Sequence, residues 1–184
     1  MDTNTMHDPD LNFAESGRCD HCGFRPDQVP PTDIAVALRS FPRRFRAVLS
    51  PADETDAERM ARPPASGGWS ALQHAGHVRD VLHALDLRLQ RVLREDEPHL
   101  GETPATPPPA GGEAIEATLA ALQSNAEQLA TTVTGVKGEE WNRTGRRDGE
   151  TVSALDLARE AVHEGSHHLR DATRVIEEIR QSPG

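Results

Sequence analysis

The chain has 184 residues and a formal net charge of −10 at pH 7, which disfavours nucleic acid or an anionic membrane as its main partner, because both require a basic face. Hydrophobic residues make up 35% and aromatic residues 3%, with no tyrosine, so the core must be built from Leu, Val, Ile and Ala. This length suits one domain with an appendage.

The N-terminus and the cysteine usage predict a cytoplasmic protein. The sequence Met1-Asp2-Thr3-Asn4 lacks the basic start and apolar run of a signal peptide. No segment approaches the roughly 18 apolar residues of a membrane span. The only cysteines, Cys19 and Cys22, are three positions apart, which does not suit a secreted disulfide scaffold. We therefore expect neither a nucleic-acid nor a membrane partner.

Residues 1–31 are polar, carry both cysteines and are interpreted as an irregular N-terminal arm. Thr32 is a suitable N-cap for a first helix, and Pro42 is expected to kink it. Residues 51–68 are predicted to be a loop, because they are acidic and then rich in proline and glycine. The apolar positions of the first helix follow a 4-3-4-3 spacing: Ile34, Leu38, Phe41, Phe45 and Val48.

A second helix is predicted to begin at Ser70, because Ser70 and Gln73 form a capping-box pattern. The proline-rich segment 102–109 then forms an extended link to a third helix, which ends near Gly135. The apolar face of the second helix contains His77, Val78, Val81, Leu85, Leu89 and Val92. The apolar face of the third contains Ile115, Leu119, Leu122, Ala126, Leu129 and Val133.

A fourth helix is predicted to follow the polar loop 141–149, with Ser153 and Asp156 at its start. Its apolar residues recur at every seventh position: Leu155, Val162, Leu169 and Ile176. The pattern predicts an all-α protein without strands, an antiparallel four-helix bundle over residues 32–180 with a tail at 181–184.

The most informative segment for function is Ala161–Leu169, which contains three histidines. His163 and His167 are at i and i+4, so on a helix they share one face and can bind one metal ion. His77 lies on the apolar face of the second helix and is the expected third ligand. Three imidazoles leave a coordination position for water or substrate, and such open sites are usually catalytic. His74, one turn earlier, is expected to be an exposed helix-start residue rather than a proton shuttle.

The adjacent histidines leave an alternative open. A shift by one position would make Glu164 and His168 the ligands in place of His163 and His167. We prefer His163 and His167, because they supply two imidazoles rather than one.

These features resemble the DinB/YfiT-like metalloprotein superfamily. Members have a Trp-Ser/Thr-x-x-Glu/Gln start to the second helix, a ligand histidine eight residues after the Trp, and a His-x-x-x-His on the last helix. Here Trp69 to Gln73 lead to His77 at that offset, and His163-x-x-x-His167 follows. The resemblance spans about residues 32–180, and many members lack the Cys-x-x-Cys arm.

The resemblance implies a divalent metal ion bound by three imidazoles, which suit Zn, Ni and Fe alike. It implies a metal-dependent enzyme, most simply a transferase or isomerase that activates a small-molecule thiol of the mycothiol type toward an electrophile. A metal-dependent hydrolase that uses water instead is the first alternative. A non-catalytic metal-binding or stress-response protein, with exposed helix faces suited to a homodimer, is the second.

Charged residues near the histidines have two interpretations each. Glu160 and Asp80 lie one turn from His163 and His77, and either orient an imidazole N–H or form surface ion pairs. Arg146 and Arg147 precede the fourth helix and either bind an anionic group of the thiol or substrate, or form a solvated turn, which we slightly favour.

The pair Cys19 and Cys22 resembles half of a zinc ribbon. A second zinc site there needs two more ligands, and the candidates are His7, His21, His168 or an acidic residue. A redox dithiol or two unreactive surface thiols are equally weighted alternatives. If zinc binds, we expect the arm to cover the end of the bundle near His168.

Overall fold

The computed structural model describes residues 17–101, 108 and 114–181. Over these residues the structure has five α-helices and one β-hairpin. The helices are α1 Pro31–Val48, α2 Glu54–Ala61, α3 Ala71–Arg94, α4 Ile115–Gly135 and α5 Ala154–Gln181, and the hairpin strands are β1 Thr144–Arg147 and β2 Glu150–Ser153. Helices α1, α3, α4 and α5 form a four-helix bundle, which confirms the predicted fold class. No helix in the described part of the chain is long and apolar enough to cross a membrane.

The predicted apolar faces form the core of the bundle. Every apolar residue named for the second and third helices is buried, except Ile115 at the start of α4. The predicted start of α3 is confirmed, because the Gln73 backbone N–H donates to Ser70 Oγ at 3.1 Å and the Ser70 N–H donates to Gln73 Oε1 at 2.9 Å. At α5 the Asp156 N–H donates to Ser153 Oγ at 3.1 Å. These caps set where the histidine-bearing helices begin.

The four helices are not all antiparallel to their neighbours. Helix α1 is antiparallel to α4 and α3 is antiparallel to α5, whereas α3 and α4 run in the same direction. Two contacts show each direction. Between α1 and α4 they are Arg39–Glu127 and Arg46–Glu116; between α3 and α5 they are His74–His168 and His77–Glu164. Between α3 and α4 they are Arg79–Asn125 and Asp86–Thr132, in which the residue numbers rise together. Parallel neighbours require a connection that returns along the bundle, which explains the length of the segment between α3 and α4.

Part of this connection packs against the first turns of α3. The Gln73 side-chain amide donates to the Pro108 carbonyl at 3.1 Å. A Cβ atom at Gly76 would lie 2.6 Å from Pro108 Cγ, so only glycine allows this approach. Pro108 therefore lies beside the end of α3 that carries His77, and the other residues of the predicted extended link, 102–107 and 109, lie outside the described residues.

The structure differs from the sequence prediction at two loops. The expected loop 51–68 contains α2, which Asp53 caps by accepting from the Asp56 N–H at 2.9 Å. The expected turn-rich loop 141–149 contains strand β1 and the turn of the hairpin, although no strand was predicted. Asp148 and Gly149 both have positive φ, as a tight hairpin turn requires. Pro42 lies inside α1, which continues as one helix through it.

Gly165 lies where α5 meets α1, and a Cβ atom there would overlap the Phe41 ring. We expect Gly165→Ala to lower the free energy of unfolding by about 1–3 kcal/mol, because Phe41 is fully buried and cannot move aside without disturbing the core. Urea unfolding measures this change. Gly135→Ala is the control, because nothing lies within 4 Å of a Cβ atom there, and it should be neutral or stabilising by up to about 1 kcal/mol. Equal effects of the two substitutions would contradict the close α1–α5 contact.

Candidate metal centre

Residues 163–168 of α5 carry two i, i+4 pairs of metal-ligating side chains. One pair is His163 with His167, and the other is Glu164 with His168. All four side chains are buried. Because successive residues of an α-helix are rotated by about 100°, the two pairs point to different neighbours. The structure therefore decides which pair meets His77.

Glu164 and His168 face α3 and meet His77. One ligand atom from each of these three residues lies within 4.8 Å of the other two. His77 Nε2 is 3.3 Å from Glu164 Oε2, and His168 Nε2 is 3.4 Å from the same oxygen. The carboxylate thus lies between two imidazoles from antiparallel helices. We call this group the bundle site.

Glu164 and His168 are in the protonation states that metal binding requires. Burial raises the pKa of Glu164, but the imidazoles of His168 and His77 outweigh this effect and hold the pKa below its ordinary value. Burial also lowers the pKa of His168. At neutral pH the site therefore offers one carboxylate and an uncharged imidazole at His168.

The bundle site fits a divalent cation. His168 Nε2 is buried and has no hydrogen bond among the described residues, although it lies beside the Glu164 carboxylate. A cation between the three side chains would satisfy this nitrogen and balance the buried negative charge. Two imidazoles and one carboxylate are also a ligand set of catalytic zinc, which keeps a further position for water or substrate.

His74 and Trp69 surround the outer face of His168. His74 Nδ1 lies 2.9 Å from His168 Nδ1, and Trp69 stacks on the His168 ring with centroids 5.3 Å apart. If His168 binds a cation through Nε2, its Nδ1–H donates to His74, which fixes the tautomer. Burial, assisted by His168, lowers the pKa of His74 to about 3 and keeps it neutral. The expected exposure of His74 is wrong, because it is buried between α3 and α5.

The expected trio of His77, His163 and His167 is not one group in the described part of the chain. His163 and His167 lie with Cys19 and Cys22 instead, on another face of α5. His168, expected as a partner of the cysteines, belongs to the bundle site, and His7 lies outside the described residues. The observed grouping is that of the alternative register, Glu164 with His168, because the rotation of α5 brings the Glu164 carboxylate to α3.

The charged residues that the sequence suggested for the site form hydrogen bonds and ion pairs with other protein groups. Arg147 donates to Glu160 at 2.9 Å in a buried ion pair between β1 and α5. Arg146 donates to Thr151 Oγ1 and to the Gly149 carbonyl within the hairpin. Arg146 is exposed in the hairpin, as the solvated-turn interpretation expects, whereas Arg147 is largely buried against Glu160.

Asp80 is also paired. Its carboxylate accepts from the Arg79 guanidinium at 2.7 Å, and its side chain is 43% exposed. Its observed partner is thus the neighbouring arginine, as in the surface ion-pair interpretation.

A family model described as the DinB superfamily matches residues 37–172. The chain belongs to the DinB superfamily. It is 28% identical over 149 residues to a Bacillus pumilus (strain SAFR-032) protein named "Putative metal-dependent hydrolase", with 76% of this chain and 81% of the relative covered. The family match confirms the resemblance drawn from the Trp69–His77 segment and the last helix.

The fold also matches a solved structure. YfiT from Bacillus subtilis, described as a probable metal-dependent hydrolase with an unusual four-helix bundle topology, superposes with a TM-score of 0.70. The match covers 86% of this chain and 95% of YfiT at 15% identity. At this identity the likeness establishes the fold alone.

We expect Glu164→Gln and His77→Ala each to weaken zinc binding at the bundle site. An amide is a far weaker ligand than a carboxylate, so the affinity should fall by at least the roughly 10–100-fold typical of losing an outer-shell partner. Isothermal titration with zinc measures this, and Glu177→Gln, an exposed position on the same helix, is the matched control. If His163→Ala matched His77→Ala while Glu164→Gln had no effect, the observed grouping would be contradicted.

Proposed function

We propose that this protein is a divalent-metal-dependent hydrolase whose ion is held by His77, Glu164 and His168. The observation that carries the proposal is the buried Glu164 carboxylate between two imidazoles. The Bacillus pumilus relative named "Putative metal-dependent hydrolase" supports it. The identity of the metal is part of the proposal: zinc fits this ligand set best, although imidazole also suits nickel and iron.

The chemistry follows from the cation and from its ligands. A divalent ion at this site would polarise a carbonyl or phosphoryl oxygen and lower the pKa of water toward neutrality. Glu164 supplies one negative charge, so the loaded site would keep net positive charge to attract an electron-rich substrate oxygen.

Neighbouring residues orient the ligands. With a cation on His168 Nε2, His74 Nδ1 would accept from His168 Nδ1–H and hold that ring with Nε2 toward Glu164, which makes His74 a positioning residue. Trp69 lies against three imidazole rings, with centroids 5.3 Å from His74, 5.0 Å from His77 and 5.3 Å from His168. Its indole shields these rings from bulk water and limits their rotation.

Transfer to a low-molecular-weight thiol is the second candidate. It is favoured by the resemblance of the Trp69–His77 segment to mycothiol- and bacillithiol-dependent relatives. A position that accepts water also accepts sulfur, and a thiol bound to a cation loses its proton near neutral pH. The substrates would then be a small thiol and an electrophile.

We expect zinc-loaded protein to hydrolyse at least one member of a panel of carboxylic, amide and phosphate esters. Chelation should abolish turnover, and Glu164→Gln should lower it by at least about 100-fold, equivalent to about 2.7 kcal/mol of transition-state stabilisation. Glu177→Gln should retain the rate. Turnover that survives both chelation and Glu164→Gln would contradict the proposed site.

Conjugation assays separate the two candidates. The metal-loaded protein is incubated with monochlorobimane and several low-molecular-weight thiols, including mycothiol and bacillithiol. Metal-dependent conjugation without ester hydrolysis would replace the hydrolase proposal with thiol transfer. Inactivity in both assays with zinc, nickel and iron would contradict both and leave a non-catalytic metal-binding protein.

A further inference from the structure

The histidine pair that faces away from α3 meets the two cysteines of the N-terminal arm. One ligand atom from each of Cys19, Cys22, His163 and His167 lies within 4.8 Å of the other three. We propose that these four side chains bind one zinc ion and fasten the arm to α5. We call this group the arm site. It goes beyond the proposed function and does not rest on it.

The residue types and spacings are those of structural zinc. Cysteines three positions apart and histidines four positions apart are the two halves of a Cys₂His₂ site. Here the halves lie on the arm and on α5, 141 positions apart between Cys22 and His163, so the fold alone joins them. Bond lengths of about 2.3 Å for Zn–S and 2.0 Å for Zn–N place tetrahedral ligand atoms about 3.3–3.8 Å apart. The distance of 3.7 Å from Cys19 Sγ to His167 Nδ1 is already in this range.

Residues 19–24 of the arm form a turn that contains both cysteines. The Gly23 N–H donates to the Cys19 carbonyl at 2.7 Å, and the Cys19 N–H donates to the Phe24 carbonyl at 2.9 Å. Gly23 has φ 78°, a conformation that glycine adopts without strain. The turn holds the two thiols on one short loop, and neither forms a disulfide.

A carboxylate orients one of the proposed ligands. Asp171 Oδ2 lies 3.3 Å from His167 Nε2, on the side of the ring opposite to Cys19. Asp171 also accepts from His21 Nε2 at 2.9 Å, and the His21 ring stacks on His167 with centroids 4.7 Å apart. This carboxylate–histidine arrangement turns Nδ1 of His167 toward Cys19 Sγ and is typical of zinc ligands.

Charge balance distinguishes the arm site from the bundle site. The two negative charges of the thiolates balance the two positive charges of one zinc ion, and the imidazoles are neutral. The loaded arm site is therefore uncharged and tolerates burial. Cys19, His163 and His167 are all buried. Four protein ligands leave no position for substrate, which makes this site structural, whereas the bundle site has three.

The arm site would support the bundle site through the helix they share. His163 and His167 alternate with Glu164 and His168 along less than two turns of α5. A zinc ion that anchors the first pair restrains the backbone that carries the second. It also holds Phe24 against His163, with ring centroids 5.2 Å apart.

Metal counting tests the proposal. Protein purified with zinc under reducing conditions, desalted and analysed by mass spectrometry should carry two zinc ions per chain. Cys19→Ser/Cys22→Ser and His77→Ala should each carry one, from different sites, and combining them should leave none. His83→Ala is the control, because His83 is exposed on α3, and it should carry two. Undiminished zinc in the cysteine variant would overturn the arm site without affecting the bundle site.

Two further measurements keep both cysteines and therefore do not depend on how the Cys19→Ser/Cys22→Ser variant folds. In His77→Ala the bound ion is replaced by cobalt, and thiolate-to-cobalt charge transfer with strong tetrahedral d–d bands is expected. In the wild-type protein, titration with an organomercurial should release one of two zinc ions. Absence of the charge-transfer band, no zinc release by the mercurial, or oxidation of Cys19 and Cys22 to a disulfide with no zinc lost would each overturn the proposal.

Discussion

The antiparallel contact between α3 and α5 is the interaction on which the site depends. It places the Glu164 carboxylate beside His77 and His168 in an environment from which water is largely excluded. A buried anion of this kind requires positive charge nearby, because solvation no longer stabilises it. The described surroundings of Glu164 supply the imidazole nitrogens of His77 and His168, which suit a cation. The proposed metal ion at this position would satisfy these buried groups together.

Helix geometry explains how one short segment can hold two sets of candidate metal ligands. Neighbouring i, i+4 pairs are rotated by about 100°, so Glu164 and His168 face α3 while His163 and His167 face the arm. Gly165 lies between them and allows the Phe41 ring of α1 to approach. The middle of α5 is consequently surrounded by α1, α3 and the arm, which accounts for its buried polar residues. A helix with a single buried face could not carry both pairs.

Much of the scaffold could be predicted because each local signal agreed with the tertiary structure. Apolar spacing located the four long helices, and the Ser70 and Ser153 patterns located the starts of α3 and α5. Helix α2 was missed because its acidic sequence has only one buried apolar residue, Met60. The hairpin was missed although Asp148-Gly149 is a strong turn signal, because its strands are only four residues long and lack clear alternation.

The sequence by itself determined the four long helices, the family and the residues able to bind metal, since periodicity, caps and residue chemistry are local properties. The tertiary structure decided how those ligands are divided. A His-x-x-x-His-His segment with a glutamate after its first histidine contains two overlapping pairs, and nothing local ranks them. The rotation of α5, set by packing against Phe41 and α3, directs Glu164 and His168 to His77. The arm then meets the remaining pair, because Cys19 and Cys22 reach α5 only through a fold that joins distant parts of the chain.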